Sequence, residues 1–131
     1  MSRFPDAIAN ALSRAMSLRL DRTHLIASNI ANTNTPGFTP VDMDFQAALE
    51  QQMETGPLAR TSEGHLLGSI EGAARPTYFY DPTGTPGLDG NSVSVDQEMA
   101  RMSENTMLYD ASSRALQKKL GMIRYAITDN G

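Results

Sequence analysis

The chain of 131 residues contains no cysteine and no tryptophan, and aromatic residues make up only 6% of it. Without cysteine there is no disulfide, no thiolate metal cluster and no cysteine nucleophile, and the redox compartment leaves no mark. Basic residues are not in excess: Lys+Arg 11 against Asp+Glu 15 gives a formal net charge of −4. The basic footprint of a general nucleic-acid binder is absent, so no nucleic acid is expected as a partner. Apolar runs last a few residues, far short of the ~20 that cross a bilayer, and an integral membrane protein is not expected. Met1 to Asn10 lacks a basic stretch followed by an apolar block. If the protein leaves the cytoplasm, a cleaved secretory signal is not the expected route.

Glycine and proline divide what is there. Residues 33–90 hold eight of the ten glycines and six of the seven prolines, which leaves the two ends to helix. Charge follows the same division: residues 1–32 are net +2, 33–90 net −6 and 91–131 neutral. The expected organisation is a terminal-helix domain made of residues 1–32 and 91–131, with 33–90 as an irregular connecting segment.

Asp6 to Asn32 lacks internal glycine and proline and predicts a helix of ~27 residues, or ~40 Å. Asp6, beside Pro5, is placed to cap its start. Its apolar side chains, among them Ile8, Leu12, Met16, Leu18, Leu25 and Ile26, spread over an arc of roughly 220°, wider than one partner helix covers. Arg19 and Arg22 fall inside that arc and are expected to pair with carboxylates of an adjacent chain. At the other end, Ser94 and Gln97 have the spacing of a capping box. From there Val95, Met99, Met102, Thr106, Tyr109, Ser113, Leu116, Leu120, Ile123 and Ile127 alternate in steps of four and three, the seam of a coiled coil. The predicted fold is mainly α: two long terminal helices in an antiparallel coiled coil, joined by a Gly/Pro-rich middle. That middle is expected to hold a short helix over about 42–54, capped by Asp42 and carrying Phe45, Leu49 and Met53. At most a small β element is expected there, at Thr77 to Tyr80.

The chemistry of catalysis is missing. Gly68-Ser69-Ile70-Glu71-Gly72 is not a nucleophile elbow, and neither His24 nor His65 belongs to a metal-binding His-Glu-x-x-His. Asp42-Met43-Asp44 opens like a calcium loop but lacks its glycine and terminal glutamate. Glu50/Glu54 and Asp96/Glu98 read as solvated faces. No enzyme activity, cofactor or metal is expected.

The informative run is Ile26-Ala27-Ser28-Asn29-Ile30-Ala31-Asn32-Thr33-Asn34-Thr35-Pro36-Gly37-Phe38. Asparagine competes for the backbone inside helices, yet Asn29 lies within the apolar arc, where a buried amide fixes helix register. Pro36 ends the helix, and Pro36-Gly37 are the central pair of a type II turn.

This run, with Ser28, Asn29, Ile30, Asn32, Asn34, Pro36, Gly37 and Phe38, resembles the N-terminal signature of the flagellar basal-body rod and hook family, approximately ASNIAN-x-NTPG-aromatic. Val41 to Phe45, Asp89 to Val93, Glu98-Met99, Glu104-Asn105 and Tyr109 extend the similarity to most of the chain except about residues 55–85. The short length resembles a proximal-rod member. The alternatives are the second small proximal-rod protein of the same family and a non-enzymatic two-helix binding module that grips one partner. A peptidoglycan-directed enzyme is a weaker rival.

The resemblance implies a structural subunit that packs into a helical tube around an export channel and transmits torque. It implies self and other rod proteins as partners, with the adaptor joining the rod to the membrane ring and the flagellar type III export apparatus. It places the subunit in the basal body within the periplasmic space, exported without cleavage. The apolar arc fits this expectation: one chain owns more apolar helix than it can cover, and neighbours would complete the burial. A free monomer is expected to be largely disordered at its ends and middle.

Overall fold

The computed structural model describes residues 3–54 and 77–128. Elements follow in the order α1 (Arg3–Ala31), β1 (Val41–Met43), α2 (Phe45–Glu54), β2 (Tyr78–Tyr80) and α3 (Val95–Thr128). The fold is mainly helical, with two long helices near the ends. Gly56, Pro57, His65 and the 68–72 run lie outside the described residues.

α1 begins three residues before the expected Asp6 start. Pro5 then falls in the first turn, where amides have no acceptor within the helix and a missing N–H is tolerated. The far end closes as the turn chemistry predicts. The Phe38 amide donates to the Thr35 carbonyl at 3.3 Å, with Pro36 and Gly37 between them. Gly37 has φ +72°, the left-handed value that the third residue of a type II turn requires.

α1 and α3 lie side by side and antiparallel, since Asn29 bonds Glu98 while Arg19, earlier in α1, bonds Asn105, later in α3. α3 starts at Val95 as predicted, but no capping box holds it. The Ser94 carbonyl accepts from the Glu98 amide at 2.9 Å, and the Ser94 amide donates to Thr83 Oγ1 at 2.9 Å.

The seam of α3 differs from the apolar pattern. Val95, Met102, Tyr109, Leu116 and Ile123 are half-buried, but of the alternate positions only Ser113 is, while Met99, Thr106, Leu120 and Ile127 are exposed. Their place towards α1 is taken one residue earlier by Glu98 and Asn105, both fully buried. Polar side chains fill these positions because each of the two buried ones finds hydrogen-bond partners on α1.

The short helix exists, but its cap is Asp44 and not Asp42: the Ala47 amide donates to Asp44 Oδ1 at 3.0 Å. Asp42 lies in β1, which the sequence pattern did not reveal. β1 pairs antiparallel with β2, with Val41 opposite Tyr80, Asp42 opposite Phe79 and Met43 opposite Tyr78. The ribbon closes the loop end of the helix pair, and the apolar core of Leu18, Ile26, Met43 and Ala48 sits there. Among the described residues, nothing outside 18–105 is buried.

Candidate functional site

Three polar layers fasten α1 to the segments that follow it. The first is the junction after the helix. Asn91 Nδ2 donates to the carbonyls of Asn32 at 2.9 Å and Thr35 at 2.7 Å, so it satisfies backbone acceptors left at the helix end. The Gly37 amide donates to the Asp89 carbonyl at 2.8 Å, and a Cβ on Gly90 would stand 3.4 Å from Gly37 Cα. Gly90 also has positive φ, at +77°, so two left-handed glycines pack on each other.

The second layer is centred on Asn29, which is 2% exposed. Its Nδ2 donates to the Val41 carbonyl at 2.9 Å and to Glu98 Oε2 at 3.1 Å, and its Oδ1 accepts from the Val41 amide at 3.0 Å. One side-chain amide therefore supplies the partner that a neighbouring strand would give Val41, and ties β1 and α3 to α1. Around it lies a charged knot. Arg22 grips Asp42 with two parallel bonds, Nε to Oδ1 at 2.9 Å and Nη2 to Oδ2 at 2.8 Å. Arg101 donates Nη2 to Asp81 Oδ2 at 2.7 Å and turns Nη1 towards Asp42, 3.6 Å away, and Glu98 Oε1, 3.9 Å away. The hydrogen bonds it donates to Asp42 hold the Arg22 guanidinium above the usual arginine range, against the opposing effect of burial.

The third layer is one heptad further along α3. Asn105 Nδ2 donates to the Arg19 carbonyl at 2.7 Å and Thr23 Oγ1 at 2.9 Å, and its Oδ1 accepts from Arg19 Nη1 at 3.2 Å. The Arg19 guanidinium lies 4.0 Å over the Phe45 ring, so α2 is tied to the same layer. Burial, followed by the nearby charge of Arg22, lowers the pKa of Arg19 from its ordinary value. Both arginines are thus engaged within their own chain, Arg22 in an ion pair with Asp42 and Arg19 on Asn105 and the Phe45 ring. The acidic middle does supply the carboxylate for Arg22, from Asp42 of the same molecule.

The other sequence-predicted residues divide by position. Asn29 is buried; Ile30, Asn32 and Phe38 are half-buried; Ser28, Asn34, Pro36 and Gly37 are exposed around the turn. Leu18 and Ile26 are buried; Leu12, Met16, Leu25, Val95, Met102, Tyr109, Leu116 and Ile123 are half-buried. Ile8, Met99, Leu120 and Ile127 stand 49–71% exposed, and Met107, Met122 and Tyr125 join them as uncovered apolar surface. Glu98, Arg101, Asn105, Asn91 and Asp81 were missed as structural partners. The seven-residue step from Glu98 to Asn105 was the available signal, because it repeats the heptad in polar residues.

Nothing in this arrangement converges as catalytic groups do. Among the described residues, no three metal-ligating side chains gather and no helix is long and apolar enough to cross a membrane. The geometry instead offers a rigid polar junction at one end of a helix pair, and apolar side chains left in solvent along it.

Known proteins share this sequence plan. Residues 8–39, covering most of α1 and the turn after it, match the model of the family described as "Flagella basal body rod protein". The flagellar basal body rod protein FlgB of Cereibacter sphaeroides is 35% identical over 115 residues, 88% of this chain and 89% of the relative. FlgB of Escherichia coli K12 is 31% identical over 133 residues, covering 95% and 96%, and that of Salmonella typhimurium LT2 is 32% identical over 122 residues, covering 88% of each. The chain belongs to the FlgB-type flagellar basal body rod proteins, and it is a structural subunit of the rod and not an enzyme.

Proposed function

We propose that this chain is a proximal-rod subunit whose two long helices form a coiled-coil domain, residues 1–32 with 91–131, and that copies and related rod proteins pack helically around the export channel. The observation that carries this reading is the apolar surface left uncovered along the helix pair. Ile8, Leu20, Met99, Leu120 and Ile127 are each about half exposed or more, and apolar side chains left uncovered in number along a helix pair suit coverage by partners in an assembled protein. In this reading the signature residues Ser28 to Phe38 set the geometry at the loop end, and residues 33–90 connect the helices and meet other components.

A heterologous contact that does not close on itself builds a helical array, which suits a shaft that carries torque. The partners in this proposal are rod subunits, the adaptor between rod and membrane ring, and the type III export apparatus, with the subunit delivered to the periplasmic space uncleaved. Replacing Leu120 and Ile127 by glutamine tests it. Soluble, helical protein that fails to restore rods in a strain lacking its own copy is the expected result. Normal rods in isolated basal bodies would reject the assembly surface, and a stoichiometric complex with one soluble partner would favour a two-helix binding module instead.

A further inference from the structure

The net charge of −4 conceals a separation along the molecule. The loop end, residues 18–54 and 77–106, contains three arginines and ten carboxylates. All three arginines are engaged internally, on Asp42, on Asp81, and on Phe45 with Asn105. Asp21, Glu50, Glu54, Asp89, Asp96 and Glu104 are exposed, and none takes part in an ion pair among the described residues.

The opposite end, residues 7–17 of α1 and 107–128 of α3, has the reverse balance. Within these bounds it carries Arg14, Arg114, Lys118, Lys119 and Arg124 against Asp110, and the sequence just beyond them adds Arg3, Asp6 and Asp129, which leaves that end net positive. These five cations also form no ion pair among the described residues. The two ends cannot neutralise each other within one chain. At 1.5 Å per residue, Lys118 lies about 20 Å along α3 from Asn105, and Arg124 about 40 Å from Glu98. The Debye length at physiological salt is only about 8 Å.

Apolar surface is distributed to match. Met107, Met122 and Tyr125 stand exposed among the cations, and Tyr78, Phe79 and Tyr80 stand exposed at the acidic end. We infer that the basic helical end of one copy docks on the acidic loop end of a second copy, a head-to-tail contact held by charge and completed by apolar side chains. The inference rests on the assembly reading above and adds the partner and the polarity of one contact. Such a contact leaves a free acidic end and a free basic end on every pair, so it propagates and does not stop at a dimer.

Sedimentation of the full chain at about 0.01 M and about 1 M salt tests it, because screening contracts from about 30 Å to about 3 Å between them. Concentration-dependent association at low salt, weakened about tenfold or more at high salt, is expected. K118E/K119E/R124E and D21K/E50K/E54K should each remain monomeric, and mixing the two should restore association, because the reversed charges again meet opposites. The milder K118Q/K119Q, checked for unchanged helicity, should also weaken association. Association that ignores salt, or that survives in the glutamate variant, would overturn the inference. So would sedimentation of the basic end with phosphatidylglycerol vesicles in place of self-association, which would assign that end to a lipid surface. Normal rods built from the glutamate variant would also reject this contact while leaving the family and the apolar assembly surface intact.

Discussion

Asn29 and Val41 are joined as two strands would be, with the side-chain amide of one meeting both the N–H and the C=O of the other at 3.0 and 2.9 Å. The same amide reaches Glu98, so α1, β1 and α3 share one residue. Removing it leaves three polar groups, one buried and two partly buried, to find other partners.

Asn29→Ala is therefore expected to lower stability by about 3 kcal/mol, since each unsatisfied buried group costs about 1–3 kcal/mol. Asn29→Asp should be worse near neutral pH, because its carboxylate would face Glu98. The pair would then hold a proton more tightly folded than unfolded, so stability of this variant should rise as pH falls. Urea melts across pH measure both effects.

Asp42 and Asp44 separate two roles that the sequence left merged. Asp44→Ala removes a cap and should cost about 1 kcal/mol. Asp42→Ala strands the partly buried Arg22 and should cost on the order of 3 kcal/mol. Arg22 is held above its ordinary pKa, so its contribution is fully present at neutral pH and is lost only as pH rises through the arginine range. Chemical denaturation at pH 7 ranks the two variants, and equal losses would contradict the assignment.

Two glycines should respond oppositely to alanine. A Cβ on either Gly37 or Gly121 meets nothing within 4 Å, so only the backbone decides. Gly37 has positive φ, and Gly37→Ala should cost about 1–2 kcal/mol, with Gly37→Asn milder. Gly121 lies inside α3, where alanine should add up to about 1 kcal/mol. Thermal melts distinguish the signs.

Leu120 and Ile127, 51% and 71% exposed, should tolerate glutamine with a change in monomer stability within about 0.5 kcal/mol. Motility in soft agar should nevertheless fall. A large loss of stability would mean that these side chains support the fold itself.

Local backbone chemistry was the legible part of the sequence. The helix stop before Pro36, the turn at Gly37 and the aromatic strand at Tyr78 each follow from local rules that act over a few residues. The position of Asn29 was readable as well, because an amide in an apolar arc must find a partner. Its partners were not readable: Val41 and Glu98 lie 12 and 69 residues away. The seam of α3 was misplaced for the same reason. Apolar spacing favoured Met99 and Thr106, whereas Glu98 and Asn105 are drawn inward by groups on α1 that no local pattern displays. The partners of Arg19 and Arg22 within the chain were not readable either, because nothing local places the ribbon carrying Asp42, or the helix carrying Phe45, beside them.

The Asn91 clamp sets a condition on the timing of synthesis. Its acceptors at Asn32 and Thr35 emerge from the ribosome more than fifty residues before it does, and Glu98 and Asn105 come later still. For most of its birth the first helix has Val41, Asp42 and Phe45 beside it but none of its partners on α3, and most helical stability in proteins comes from such packing. The clamps from Asn91, Glu98 and Asn105 thus arrive late and almost together, closing a helix that until then is held by its near neighbours alone.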